Sequence, residues 1–331
     1  MKDYKIAFFG VKSWEKEIIE KEIVNLDATG VGIFEEELQN NLEMAKNYDV
    51  ISIRSRSKVN KDVLDKLPDL KMIATRSTGI DHIDNEECKN RNIVVANAST
   101  YGSNSVAEYA FGLILAVAKK IVEAHQAVEN DEFDPEGLTG MEIFGKTLGI
   151  VGLGKIGSNV ARIARGFGMN VLVTEQRPDE EVLKKYEAKL VDLETLLRES
   201  DIVTLHVPSE KDTYHLINRN NIKIMKKGSI LVNTSRGAVV ESEAIVWALN
   251  KGILRGVGID VVEEEEKTAD MSLVLSQIAT KEDLQNVLSY HMLRDRDDVV
   301  FTPHNAFNTK EAISRRIKTT VKNIKDYCQK N

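Results

Sequence analysis

Cysteine is scarce in this chain of 331 residues: there are two, Cys88 and Cys328, far apart in sequence and in no Cys-x-x-Cys pair. That argues against a disulfide framework or a thiolate zinc site and points to a reducing compartment. Long apolar runs are missing too. The longest, Ala110 to Ala118, has about half the length a membrane span needs, and Ile6 to Phe9 is too short for the apolar core of a signal peptide. A cytoplasmic protein is expected. Positive charge is not in excess, since 45 Lys and Arg stand against 52 Asp and Glu, a net charge of −7. Scattered lysines offer no basic stripe for a phosphate backbone, which disfavours direct nucleic-acid binding. The six histidines show no HExxH or comparable ligand spacing, so no metal is expected. A GxSxG serine elbow is also absent.

What is there is an alternation. Short β-branched or aromatic runs at Lys5 to Gly10, Gly30 to Phe34, Asp49 to Arg54, Lys71 to Arg76 and Ile93 to Ala96 read as strands. Between them, Ser13 to Val24 and Asn60 to Leu67 carry apolar residues at three- and four-residue spacing, the period of an amphipathic helix. Such alternation predicts a doubly wound parallel sheet covered on both faces. A long helix follows, with Ser105 and Glu108 at capping-box spacing. A second series then has strands at Leu148 to Val151, Asn170 to Thr174, Asp201 to Val207, Ser229 to Asn233, Gly256 to Asp260 and Val299 to Thr302, before a terminal helix from about Lys310. The length suits about two domains.

The strongest local motif is Gly152-Leu153-Gly154-Lys155-Ile156-Gly157, a GxGxxG after a strand and at the opening of a helix. Gly152 permits the sharp turn, Gly154 leaves room for a pyrophosphate against the backbone, and Gly157 lets the helix approach the strand. The helix N-terminus offers free amides and partial positive charge to the phosphates. Glu175 ends the next strand, eighteen residues after Gly157, where the 2′-hydroxyl of an adenosine ribose needs an acceptor. It repels a 2′-phosphate and so favours NAD, while Arg177 could serve that phosphate instead.

Arg236, Glu265 and His304 each lie just past a strand or in the loop it feeds. The carboxyl ends of parallel strands are where open α/β sheets bind ligands. There an arginine is a fixed cation, and a histidine exchanges protons near neutral pH with a carboxylate to hold its ring. Each also has an ordinary structural reading: a surface ion pair, a solvated acidic run, a structural histidine.

Several blocks in order carry a resemblance over nearly the whole chain. They are Thr75-Arg76-Ser77-Thr78-Gly79-Ile80-Asp81-His82-Ile83-Asp84, Ser105-Val106-Ala107-Glu108, the glycine motif, Asp201-Ile202-Val203-Thr204-Leu205-His206-Val207-Pro208, Asn233-Thr234-Ser235-Arg236-Gly237, Asp260-Val261 and Thr302-Pro303-His304. In these the sequence resembles the D-isomer-specific 2-hydroxyacid dehydrogenases, with the D-lactate dehydrogenase branch nearest.

The resemblance implies that Arg236 binds the substrate carboxylate and polarises its carbonyl, that His304 donates and accepts the proton, and that Glu265 orients His304, although Glu263, Glu264 and Glu266 crowd that position. NAD would be held by Gly152, Gly154, Lys155, Ile156, Gly157 and Glu175, and by Val207, Pro208, Thr234 and Asp260, the last at the nicotinamide end. Amides near Thr78 and Gly79 would take the substrate carboxylate, and Tyr101 and Phe307 its side chain. It further implies a discontinuous substrate domain of residues 1–100 and 301–331, a coenzyme domain of 101–300, a site in the cleft between them and a homodimer without an added regulatory domain. No nucleic acid or membrane partner is implied. Departures at Gly102, Ser103 and Asn308 from the D-lactate pattern leave pyruvate favoured and a larger 2-keto acid second. A dinucleotide-sensing corepressor or scaffold is the alternative from another class.

Overall fold

The computed structural model describes residues 4–24, 26, 28–263 and 280–330. It divides into two compact units, Met1–Gly102 with Asn308–Asn331, and Ser103–Phe307. The described helices of nine residues or more are α1 (Ser13–Ile23), α2 (Ser103–Lys119), α3 (Ile121–Glu129), α4 (Lys155–Gly166), α5 (Ser242–Asn250), α6 (Lys281–Arg294) and α7 (Lys310–Lys330). None of the described helices is long and apolar enough to cross a membrane.

The first unit is built on β1 (Tyr4–Phe8), β2 (Ala28–Ile33), β3 (Val50–Ile53), β4 (Met72–Thr75) and β5 (Val94–Asn97), all parallel, in the order β2-β1-β3-β4-β5. Alternate side chains of a strand face opposite sides. Ile6 and Phe8 therefore pack with Ile313, Ile317 and Ile324 of α7, while Ala7 packs with Leu38 and Leu64 on the other face.

The second unit has seven parallel strands: β6 (Thr147–Val151), β7 (Asn170–Thr174), β8 (Ala188–Leu190), β9 (Ile202–Leu205), β10 (Ser229–Asn233), β11 (Leu254–Ile259) and β12 (Val299–Phe301). Their order is β12-β11-β10-β9-β6-β7-β8. Ile230 and Val232 face a core with Ile114 and Val117 of α2, and Leu231 faces a second core with Ala248 and Leu249 of α5. Burial on both faces is why these strands read as continuous apolar runs.

Three details differ from the sequence reading. β8 had no strand signature of its own; Ala188-Lys189-Leu190 is a short edge strand recruited by pairing to β7. The expected domain break between residues 300 and 301 falls inside β12, whose ladder to β11 carries the unit on to Phe307. Ser105 does not cap α2, which begins two residues earlier; it is buried in the first turn and its hydroxyl donates to the Ala306 carbonyl at 2.7 Å. The long-range acceptor wins because the hydroxyl already lies inside the helix and away from water.

Candidate active site

The glycine turn forms as its spacing demands. Gly152 has φ +92°, and a Cβ there would lie 2.8 Å from the His206 carbonyl oxygen; one at Gly157 would lie 2.0 Å from the Gly152 oxygen. Gly154 opens α4, and nothing stands within 4 Å of where its Cβ would be, which leaves a cradle at the helix N-terminus for a pyrophosphate. Lys155 and Ile156 follow in the first turn, and the Ser158 hydroxyl donates to the Leu153 carbonyl at 3.0 Å. Glu175 stands just past β7, its Oε2 accepting from the Leu153 amide at 2.7 Å and its Oε1 from the Arg177 amide at 3.1 Å. The acidic group is thus pinned to the glycine turn. Val207 touches the same turn, 2.8 Å from a Cβ placed on Gly152, and Pro208 follows it. Thr234, past β10, keeps a buried Oγ1 with no hydrogen-bond partner among the described residues, so a donor or acceptor from a bound group has somewhere to go. These residues fit a dinucleotide.

The charged residues leave one edge together. Asn233, Ile259 and Phe301 are in register across β10, β11 and β12. Arg236, Asp260 and His304 follow them by three, one and three residues, so all three emerge at the carboxyl end of neighbouring strands. The Asn233 side chain ties the arginine loop: its oxygen accepts from the Ser235 amide and hydroxyl at 3.0 and 2.8 Å, and its amide donates to the Arg236 carbonyl at 2.9 Å. The Arg236 guanidinium donates to the Ser235 carbonyl at 2.8 Å. Gly237 then lies against the Val262–Glu263 peptide so closely that a Cβ would sit 1.9 Å from the Val262 carbonyl carbon. Only glycine permits that approach.

His304 is held in the left-handed region, φ +52°, with its amide donating to the Asp260 carbonyl at 2.9 Å. Asp260 is 1% exposed. Oδ1 accepts from the Thr302 hydroxyl at 2.5 Å and the Asn305 amide at 2.8 Å, and Oδ2 from the Ala306 amide at 2.9 Å. Burial pushes this carboxyl above the usual carboxylate range, against those hydrogen bonds and the His304 charge, which pull it down. Asp260, to which the family resemblance gives a cofactor contact, grips the loop of His304. Phe307 meets the His304 ring edge-on, centroids 6.1 Å apart.

Glu265 lies outside the described residues, as do Glu264 and Glu266. Thr78, Gly79 and Tyr101 belong to the other unit. There the Thr78 carbonyl accepts from the Asn97 side chain at 2.6 Å and the Gly79 carbonyl from the Ser77 hydroxyl at 2.6 Å, which leaves that turn's shape set by side chains on either side. Tyr101 is buried, its carbonyl accepting from Arg315 at 2.9 Å and its ring 5.4 Å from the Arg316 guanidinium. Arg76, in the same block, is buried with its guanidinium on Ser52 and the Phe9 carbonyl, and burial lowers its pKa to about 10. Among the described residues no group of three or more His, Cys, Asp or Glu could hold a metal ion. The sequence does not mark Asn233, Ser105 or Thr302 as functional supports. All three lie inside the matching blocks, but nothing in a one-dimensional pattern says which side chain a loop folds around.

A sequence model of the D-isomer specific 2-hydroxyacid dehydrogenase NAD binding domain matches residues 111–306. The chain belongs to the D-isomer-specific 2-hydroxyacid dehydrogenase family. NAD is the cofactor of this 2-hydroxyacid dehydrogenase, whose matched domain carries the glycine turn and Glu175. A D-3-phosphoglycerate dehydrogenase of Methanocaldococcus jannaschii is 37% identical over 85% of the chain, which spans only 49% of that relative's length. A glyoxylate reductase of Thermococcus litoralis is 43% identical over 68% of the chain and 70% of its own. Among solved structures, D-lactate dehydrogenase of Aquifex aeolicus, complexed with NAD and lactic acid, has a TM-score of 0.86 at 33% identity, covering 98% of this chain and 96% of its own.

Proposed function

We propose that this dehydrogenase reduces a small 2-keto acid, pyruvate foremost, to the D-2-hydroxy acid. The observation that carries the reading is the register of Asn233, Ile259 and Phe301, from which Arg236, Asp260 and His304 emerge side by side. NADH, when bound, supplies the hydride to the substrate C2. The protein's own task is then to meet the negative charge growing on the carbonyl oxygen. Arg236 binds the carboxylate and polarises the carbonyl, and His304 delivers the proton, with Glu265 orienting its ring. Phe307, edge-on to the His304 ring, borders the space for a small apolar side chain. Near-complete coverage of the Aquifex D-lactate dehydrogenase favours pyruvate. Glu175, engaged at the adenosine end, favours NADH over NADPH.

We place the enzyme in the cytoplasm, where the free thiols of Cys88 and Cys328 are stable. It works as a homodimer. α3 has no buried residue and exposes Ile121 and Val128, apolar side chains that a second copy would cover. A steady-state assay with NADH and a panel of pyruvate, glyoxylate, phenylpyruvate, 2-ketoisocaproate and 3-phosphohydroxypyruvate tests the reading. Pyruvate is expected to have the highest kcat/KM. A larger substrate at the head of the panel would move the specificity, and no turnover with any of them would favour a dinucleotide-binding scaffold.

A further inference from the structure

The acidic run after β11 begins with a residue that is not solvated. Glu263 is 6% exposed. Its Oε1 is ion-paired with Nε2 of His215, and its Oε2 accepts from the Ser242 amide at 2.9 Å, at the first residue of α5. Its backbone is the surface on which Gly237 rests, directly after Arg236. His215 is tied to the same place from the other side: its amide donates to the Ala238 carbonyl at 2.8 Å, it holds φ +47°, and the Tyr214 ring stacks on it at 4.0 Å. One residue therefore joins three segments, its carboxylate binding His215 after β9 and the start of α5, and its backbone lying under the turn after Arg236.

An apolar cluster would fill the same volume without fixing a register. A directional hydrogen bond to a nearly buried carboxylate at the root of the arginine loop instead specifies one position. We propose that His215 and Glu263 are positioning residues for Arg236. They hold the Gly237–Val239 turn so that the guanidinium faces the substrate carboxylate, and they touch neither substrate nor cofactor. The inference rests on the role assigned to Arg236 above.

The test compares Glu263→Ala, Glu263→Gln and His215→Asn with the parent, each alone and with Arg236→Gln. Glutamine keeps an acceptor for Ser242 and a donor for a neutral His215, and asparagine tolerates the left-handed backbone at position 215. Expected for Glu263→Ala and His215→Asn is a tenfold or greater rise in KM for pyruvate, with Kd for NADH, read by fluorescence, within twofold of the parent. Glu263→Gln should recover most of the loss. In the Arg236→Gln background the same changes should lower kcat/KM less than threefold further. Equal, multiplicative losses in both backgrounds, or NADH affinity falling in step with KM, would show that the pair only stabilises the fold. Should Glu263→Ala not fold, His215→Asn decides alone. A parent inactive on every keto acid refutes the functional reading itself, a result independent of these variants.

Discussion

Asp260 holds His304 from both ends of its loop. The Asp260 carbonyl accepts the His304 amide at 2.9 Å, and the carboxylate accepts Thr302 before the histidine and Asn305 and Ala306 after it. A buried acidic side chain is thereby the template for a left-handed histidine. Left-handed geometry costs a non-glycine residue roughly 1–2 kcal/mol, and three hydrogen bonds to one carboxylate offset it.

Asp260→Asn puts an amide group where three donors point. At least one donor then faces another, at a cost of about 1–3 kcal/mol. We expect a lower Tm and a fall in kcat for keto-acid reduction of more than tenfold. A kcat within twofold of the parent would mean that His304 keeps its place without the carboxylate.

Arg236→Gln removes the cation that answers charge on the carbonyl oxygen. Loss of such a group costs about 100- to 1000-fold in kcat, and kcat/KM for the keto acid is expected to fall by at least that much. The glycine turn and Glu175 are tied to each other, not to the Arg236 loop, so Kd for NADH should stay within about threefold, by order of magnitude for an untouched site. Parallel loss of NADH binding would assign Arg236 to the cofactor.

Glu175→Ser opens the end of β7 to a 2′-phosphate beside Arg177. The ratio of kcat/KM with NADH to that with NADPH should drop at least tenfold, roughly the 1.4 kcal/mol of one lost charged contact. An unchanged ratio, measured with one keto acid at saturation, would show that selection lies elsewhere.

His206 is held neutral, its pKa lowered by burial to about 3. Part of the residue reaches the surface, yet Nδ1 is shut off from water and Nε2 lies 3.0 Å from the Thr204 hydroxyl. The unfolded chain takes a proton at this residue near pH 6.5, and the folded chain does not until far lower. The stabilisation is therefore complete above that pH and is lost as pH falls from 6.5 toward 3, by up to about 1.4 kcal/mol per pH unit. Denaturant midpoints taken from pH 6.5 to 5, above most carboxylate titrations, should fall less steeply in His206→Gln than in the parent. Identical slopes would refute the assignment.

Strands, glycine turn and acidic residue were legible in the chain because each depends on neighbours a few positions away. Arg236 and His304 stood out by their place after strands, and those strands are β10 and β12. The support around them was hidden. Nothing near Asp260 announces that it organises residues 302–306, and Glu263 looks like any member of a solvated acidic run until His215 and Ser242 are found against it. Ser105 even carried a local signal, a capping box, that its long-range bond to Ala306 overrides.

Residue spacing alone thus determined the α/β alternation and the dinucleotide turn, since backbone periodicity and steric demand are short-range properties, and the family followed from a resemblance of several blocks in order. The folded chain alone decided which carboxylate serves which loop. That choice depends on segments separated by tens of residues meeting at one sheet edge, where burial makes every unsatisfied hydrogen bond expensive and leaves each acid a single set of partners.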